Sequence, residues 1–182
     1  MRLLRHHLVG LALAGLAVSL APAAQAATVN AAVAANFTKV ATDLAAKFKA
    51  RSGDDVVLSF GSTGALYMQI TQAAPFDVFF SADDQRPAAL IEGGFGVAGS
   101  AFTYAMGKVV LYSATLDVTN GDAVLEAGAF HHIAIADPNT APYGAAAMAV
   151  LDRLGLTVAL TPKIVTGENI TQALQFVDSG SA

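Results

Sequence analysis

Polar residues in this chain cluster in short turns that follow apolar, β-prone runs and open helices. Four such units occur: Val33-Ala34-Ala35-Asn36-Phe37-Thr38, Leu58-Ser59-Phe60-Gly61-Ser62-Thr63-Gly64, Asp137-Pro138-Asn139-Thr140-Ala141-Pro142-Tyr143-Gly144 and Gly167-Glu168-Asn169-Ile170-Thr171. A helix start leaves backbone N–H groups without intrahelical partners. It also carries a partial positive charge. Several starts aimed at one point would hold a small oxyanion without a lysine or arginine.

Each residue also has a plainer role. Asn36 stands where a helix N-cap belongs, and asparagine caps helices often. Ser62 and Thr63 lie between Gly61 and Gly64, which admit close backbone approach, but glycine and serine also make ordinary turns. Tyr143, between Pro142 and Gly144, offers a phenol and an N–H, or else packs at a helix start. Ile170 has only backbone and apolar cover to give; taken alone it is a core residue.

Other chemistries fit poorly. No Gly-Lys-Ser/Thr continuation follows the Ser62 turn, and G-x-G-x-x-G is absent, so neither nucleotide-binding loop is present. A Ser-His-Asp triad can be drawn from Ser62, a histidine and Asp77 or Asp137, but there is no G-x-S-x-G elbow. Beyond the first 26 residues the histidines are His131 and His132. Adjacent residues on a strand point to opposite faces, so a shared metal is not expected. With no cysteine, a transition-metal cation site is improbable and no disulfide framework exists.

The N-terminus has a basic start (Arg2, Arg5), an apolar run from Leu8 to Ala21 and Ala24-Gln25-Ala26. These are the parts of a secretory signal peptide. Residues 1–26 are therefore expected to be cleaved, and the run is too short and too Ala/Gly-rich for a membrane span. The chain has 10 Lys and Arg against 14 Asp and Glu, a net charge of −4; losing Arg2 and Arg5 takes it to −6. No basic patch marks a nucleic-acid partner. Overall charge repels an anion, so local dipoles would have to bind it.

The elements that must position these turns follow from periodicity. Strands are predicted over Thr28–Ala35, Val56–Phe60, Phe76–Phe80, Ile133–Ala136 and Lys163–Thr166. The near-continuous apolar run Val56–Phe60 suits a parallel strand covered on both faces. Helices are predicted from Phe37 to Phe48, Ala65 to Gln72, Asp84 to Glu92, Gly144 to Leu154 and Ile170 to Val177, with weaker character over Asp117–Gly128. Phe102–Ser113 reads as a long β-prone stretch that could pass between two lobes. Alternating strands and helices give an α/β fold with mostly parallel sheet and helices on both faces. In such sheets ligands bind beyond the carboxyl ends of the strands, where all four polar turns lie.

The ordered set of segments resembles the molybdate-binding protein of bacterial ABC importers. It comprises Ala34-Ala35-Asn36-Phe37-Thr38, Val56 to Gly64, Gln69-Ile70, Ala74 to Asp83, Phe102 to Lys108, Ile133 to Pro138, Ala141 to Gly144 and Val165 to Ile170. The resemblance implies a type II periplasmic binding protein of two α/β lobes, with the first expected over residues 27–105 and the second over 106–182. It implies capture of molybdate or tungstate in the cleft, delivery to an inner-membrane permease, no enzymatic activity, no cofactor and a monomer. Asn36 and Thr63 match ligand positions of the first lobe, Tyr143 and Ile170 those of the second, and Ser62 and Ala35 are neighbours able to donate. Molybdenum would be held only as the oxyanion.

Many relatives carry serine where this chain has Asn36 and Thr63, which keeps donors but leaves the preferred anion open. The chain stops at Asp178-Ser179-Gly180-Ser181-Ala182, where family members continue with elements that complete the second lobe. A partial sequence is expected on that ground, with unpaired strand edges and uncovered apolar surface. Rival readings are a binding protein for sulfate or another oxyanion, an exported hydrolase using Ser62, and, more weakly, a structural or adhesive role.

Overall fold

The computed structural model describes residues 26–182; apart from Ala26, the expected signal peptide lies outside them. Two parallel sheets make the framework. Strand β1 (Thr28–Ala34) lies between β2 (Asp55–Gly61) and β3 (Val78–Phe80), and β4 (Ile133–Ala136) pairs with β5 (Ile164–Gly167). Register runs from Thr28 opposite Asp55 to Ala34 opposite Gly61, and from Ile133 opposite Ile164 to Ala136 opposite Gly167.

Helices follow the strands: α1 (Thr38–Ser52), α2 (Thr63–Thr71), α3 (Gln85–Glu92), α4 (Gly121–Ala127), α5 (Pro142–Arg153), α6 (Thr157–Leu160) and α7 (Ile170–Asp178). Ala31 to Ala34 are all essentially buried, as expected for a central parallel strand covered on both faces. Small side chains there let helices approach closely.

Each sheet has its own core. Ala31, Val33 and Ala41 form the first, sealed by Phe37, Val56, Leu58 and Phe80. Leu125, Leu151 and Leu160 form the second, joined among others by Leu111, Ile133 and Ile164. Val33 and Leu66 are among the largest fully buried side chains, and burial of each contributes about 1.5–3 kcal/mol. Two separate cores define two lobes.

Four sequence expectations need correction. Val56–Phe60 is not covered on both faces: β2 is an edge strand, and Val57 and Phe60 are about half exposed, because the apolar run alone does not say which strand is central. Asn36 is not the N-cap of α1: it sits in a 3-10 turn, Ala35–Phe37, that precedes the helix, and its side chain makes no capping bond. Helices α2 and α5 begin earlier than periodicity indicates, at Thr63 and Pro142; in α5 the proline at the first helical position opens the helix well. Residues 102–113 form no strand. Their β-prone side chains meet no pairing partner among the described residues, and Phe102, Met106 and Val110 are largely exposed.

Candidate functional site

A cavity of about 10 Å³ lies between the lobes, lined by Ala34, Ala35, Asn36, Ser62, Thr63, Ala82, Ala141, Pro142, Tyr143, Asn169 and Ile170. All six residues singled out from the sequence lie on it. That volume is about what a single water molecule requires, so the lobes pack closely on one another at this point. Every lining side chain is neutral.

The lining comes from the carboxyl ends of all five strands, the segment after β3 bringing Ala82. The turn after β1 brings Ala35 and Asn36, the turn after β2 brings Ser62 and Thr63, and those after β4 and β5 bring Tyr143 and Ile170. Ala35, Ser62 and Thr63 are buried, Thr63 to 1% exposure. Tyr143 and Ile170 are half-buried and Asn36 is exposed.

The first-turn N–H groups can be sorted by where their hydrogen bonds go. In α7 the Asn169 side chain accepts from Thr171 and Gln172, leaving the Ile170 N–H. In α5 Pro142 has no N–H, and Gly144 and Ala145 both donate to the Ala141 carbonyl, leaving that of Tyr143. In α2 Gly64 donates to the Thr140 carbonyl at 2.7 Å and Leu66 to that of Ser62, leaving those of Thr63 and Ala65. Thr63, Tyr143 and Ile170 each bring a main-chain donor to the cavity wall at the positive end of a helix.

Side chains add to these donors. Thr63 Oγ1 accepts from the Ala82 N–H at 3.1 Å, which leaves its own hydrogen to donate. Ser62 makes no side-chain capping bond to α2. Behind the wall, Phe37, Phe80 and Tyr104 pack with ring centroids 5.1–5.9 Å apart. The Tyr104 hydroxyl donates to the Ser81 carbonyl at 2.8 Å. Burial, then the neighbouring Tyr143, holds the Tyr104 phenol above its ordinary value, so it remains protonated.

The drawn triad is not assembled. Asp77 sits at the opposite end of the first sheet, where its carboxylate accepts from the Asn30 N–H. The Asp137 carboxylate accepts from the Asn139 backbone and side-chain amides. His131 and His132 precede β4, whereas the cavity lies past its far end. The lobes also touch through bonds that the sequence did not reveal. Besides Gly64 to Thr140, Arg86 donates to the Asn139 carbonyl at 3.2 Å and Thr171 Oγ1 to that of Ala35 at 3.4 Å.

Neutral donors converging between two α/β lobes characterise a solute-binding cleft, and the chain belongs to the family described as bacterial extracellular solute-binding protein, whose model matches residues 29–182. It is 54% identical over 164 residues to the molybdate-binding protein ModA of Azotobacter vinelandii, covering 90% of this chain and 65% of that protein. It is 50% identical over 168 residues to ModA of Rhodobacter capsulatus, covering 92% and 66%. The solved structure of the Azotobacter vinelandii periplasmic molybdate-binding protein superposes with a TM-score of 0.82 at 43% identity, covering 85% of this chain and 68% of that one. The fold is that of a two-lobed type II periplasmic binding protein. The chain spans about two thirds of the length of the curated relatives it matches.

Proposed function

We propose that this protein captures molybdate or tungstate in the interlobe cavity and delivers it, in the periplasm, to the membrane permease of an ABC importer. The observation that carries the reading is the neutral cavity onto which main-chain donors of Thr63, Tyr143 and Ile170 open from helix starts of both lobes. The names of the similar proteins point to the same ligand.

A tetrahedral dianion accepts many hydrogen bonds, and this lining offers donors from Asn36, Ser62 and Thr63 side chains besides the main chain. The Ala35 N–H is a further candidate. Discrimination against sulfate then rests on size, because the two ions present similar acceptors. Protonated phosphate brings a hydrogen that the main-chain N–H groups cannot accept; it is paired only where a hydroxyl or the Asn36 amide oxygen turns to accept it, at the loss of a donor to the anion. On this reading the chain is a monomeric binder and not an enzyme. Residues 1–26 direct export, and the lobes divide near residues 105–106.

Thermal unfolding with molybdate, tungstate, sulfate and phosphate tests the assignment, since a ligand that binds only the folded state raises its stability. The expected result is an upward shift with molybdate or tungstate alone. An equal shift with sulfate contradicts discrimination by size, and no shift with any of them contradicts oxyanion capture. Turnover of an ester substrate with labelling of Ser62 would favour the hydrolase.

A further inference from the structure

The loop between β3 and α3 is tied down from several sides. Ser81 Oγ donates to Asp83 at 3.1 Å and accepts from the Asp83 N–H at 3.2 Å. The Asp83 carboxylate also accepts from the Arg86 N–H and pairs with the Arg86 guanidinium. Both side chains of that pair are mostly buried, 16% exposed for Asp83 and 25% for Arg86.

The guanidinium is thus held by its own lobe, and its second terminal nitrogen reaches across to the Asn139 carbonyl of the other. The receiving loop is held just as firmly. Asp137 accepts from both amides of Asn139, and its carbonyl accepts from Thr140 and Ala141. One residue along, the Thr140 carbonyl takes the Gly64 N–H. A Cβ on Gly64 would stand 2.9 Å from the Thr140 Cα and oxygen and 3.2 Å from Arg86 Nη2. Only glycine permits this approach.

We infer that Arg86 and Gly64 form a clasp that sets how readily the lobes close, and thereby how long a bound anion stays. The inference rests on the oxyanion-capture reading for its release rate alone. Gly64 belongs to the first turn of α2, so its N–H is a donor an anion could have used; it is spent on the opposite lobe instead. Neither residue lines the cavity. They are positioning residues: apparent affinity falls in proportion to the closed fraction, and the loss shows in release more than in capture.

Two substitutions separate the clasp from a merely structural role. Arg86→Lys keeps a cation for Asp83 but loses the planar fork that serves both lobes. Gly64→Ala replaces glycine inside a helix with the best helix former, so the unfolding midpoint without anion should hold or rise while closure is obstructed. The chain has no native cysteine, so fluorophores at Lys47→Cys on α1 and Asp152→Cys on α5 report the distance between lobes.

We expect molybdate release faster by about tenfold in Arg86→Lys, the factor one charge-assisted hydrogen bond commonly carries, and faster also in Gly64→Ala, whose methyl group meets the Thr140 backbone at 2.9 Å, with capture in both changed by less than about twofold. The interlobe distance without anion should lengthen. Wild-type distance and wild-type release in either variant overturn the clasp. If the unsubstituted protein binds no molybdate yet both variants lengthen the distance, the clasp stands and the ligand assignment falls.

Discussion

The two lobes furnish the same cavity by different means. The first presents mainly side chains: the Asn36 amide and the Ser62 and Thr63 hydroxyls, beside the Thr63 N–H. The second presents mainly backbone: Tyr143 and Ile170 N–H groups at the starts of α5 and α7, their neighbouring donors already satisfied by the Ala141 carbonyl and the Asn169 side chain. A side-chain donor is lost by truncation, whereas a main-chain donor survives almost any substitution except proline. The first lobe should therefore be sensitive to what its residues are, and the second to the geometry that holds its helix starts.

The largest expected effect lies in that geometry. A Cβ on Gly144 would fall on the Ala136 carbonyl, 2.7 Å from its carbon, so Gly144→Ala must push α5 away from β4. We expect a loss of about 3 kcal/mol or more, read as a lower denaturant midpoint, with binding lost as Tyr143 shifts.

Next comes the backbone donor itself. Proline is accepted at the first position of a helix, and Asn169 before it is already extended, with φ −153° and ψ 175°, as a residue preceding proline requires. Ile170→Pro should keep the fold and weaken molybdate binding by about 10- to 100-fold, the cost of one hydrogen bond to a charge. Ile170→Ala should change affinity by less than about threefold, since the N–H remains.

In the first lobe, Ser62→Ala and Asn36→Ala should each cost about tenfold in affinity by calorimetry. Thr63→Ala should cost more, because it also strips the Ala82 N–H of its acceptor. Equal tolerance of alanine at Ser62 and Ile170 would erase the contrast between lobes.

The smallest effect concerns pH. Tyr104 has a raised pKa in the folded state, so the fold holds its proton more tightly than the unfolded chain does. This group leaves stability unchanged below the ordinary value of 10.0; stability falls as pH rises from there through the raised value. Denaturant titrations above pH 10 should show a shallower decline for Tyr104→Phe than for the parent protein.

Much of this arrangement was legible in the sequence because it is local. Strand, polar turn and helix start lie within a few residues in each unit, and in the last of them Asn169 caps α7. The parallel sheet rule then placed all four turns at one end. What escaped was set by contacts between distant residues. Asn36 looks like a cap from its neighbours alone, but the chain leaves β1 through a 3-10 turn first. Residues 102–113 have strand composition, yet pairing needs a partner that composition does not supply. The Arg86–Asn139 bond joins residues 53 positions apart, and no local pattern announces it. The short helix α6 passed unnoticed because four residues carry too little periodicity.

The most direct test of anion capture by neutral helix-start donors is calorimetric titration of molybdate into Ile170→Pro and Ile170→Ala side by side. The account predicts that binding collapses in the first and persists in the second. Equal affinity in the two, in folded proteins, would show that the main-chain donor of α7 does not hold the anion.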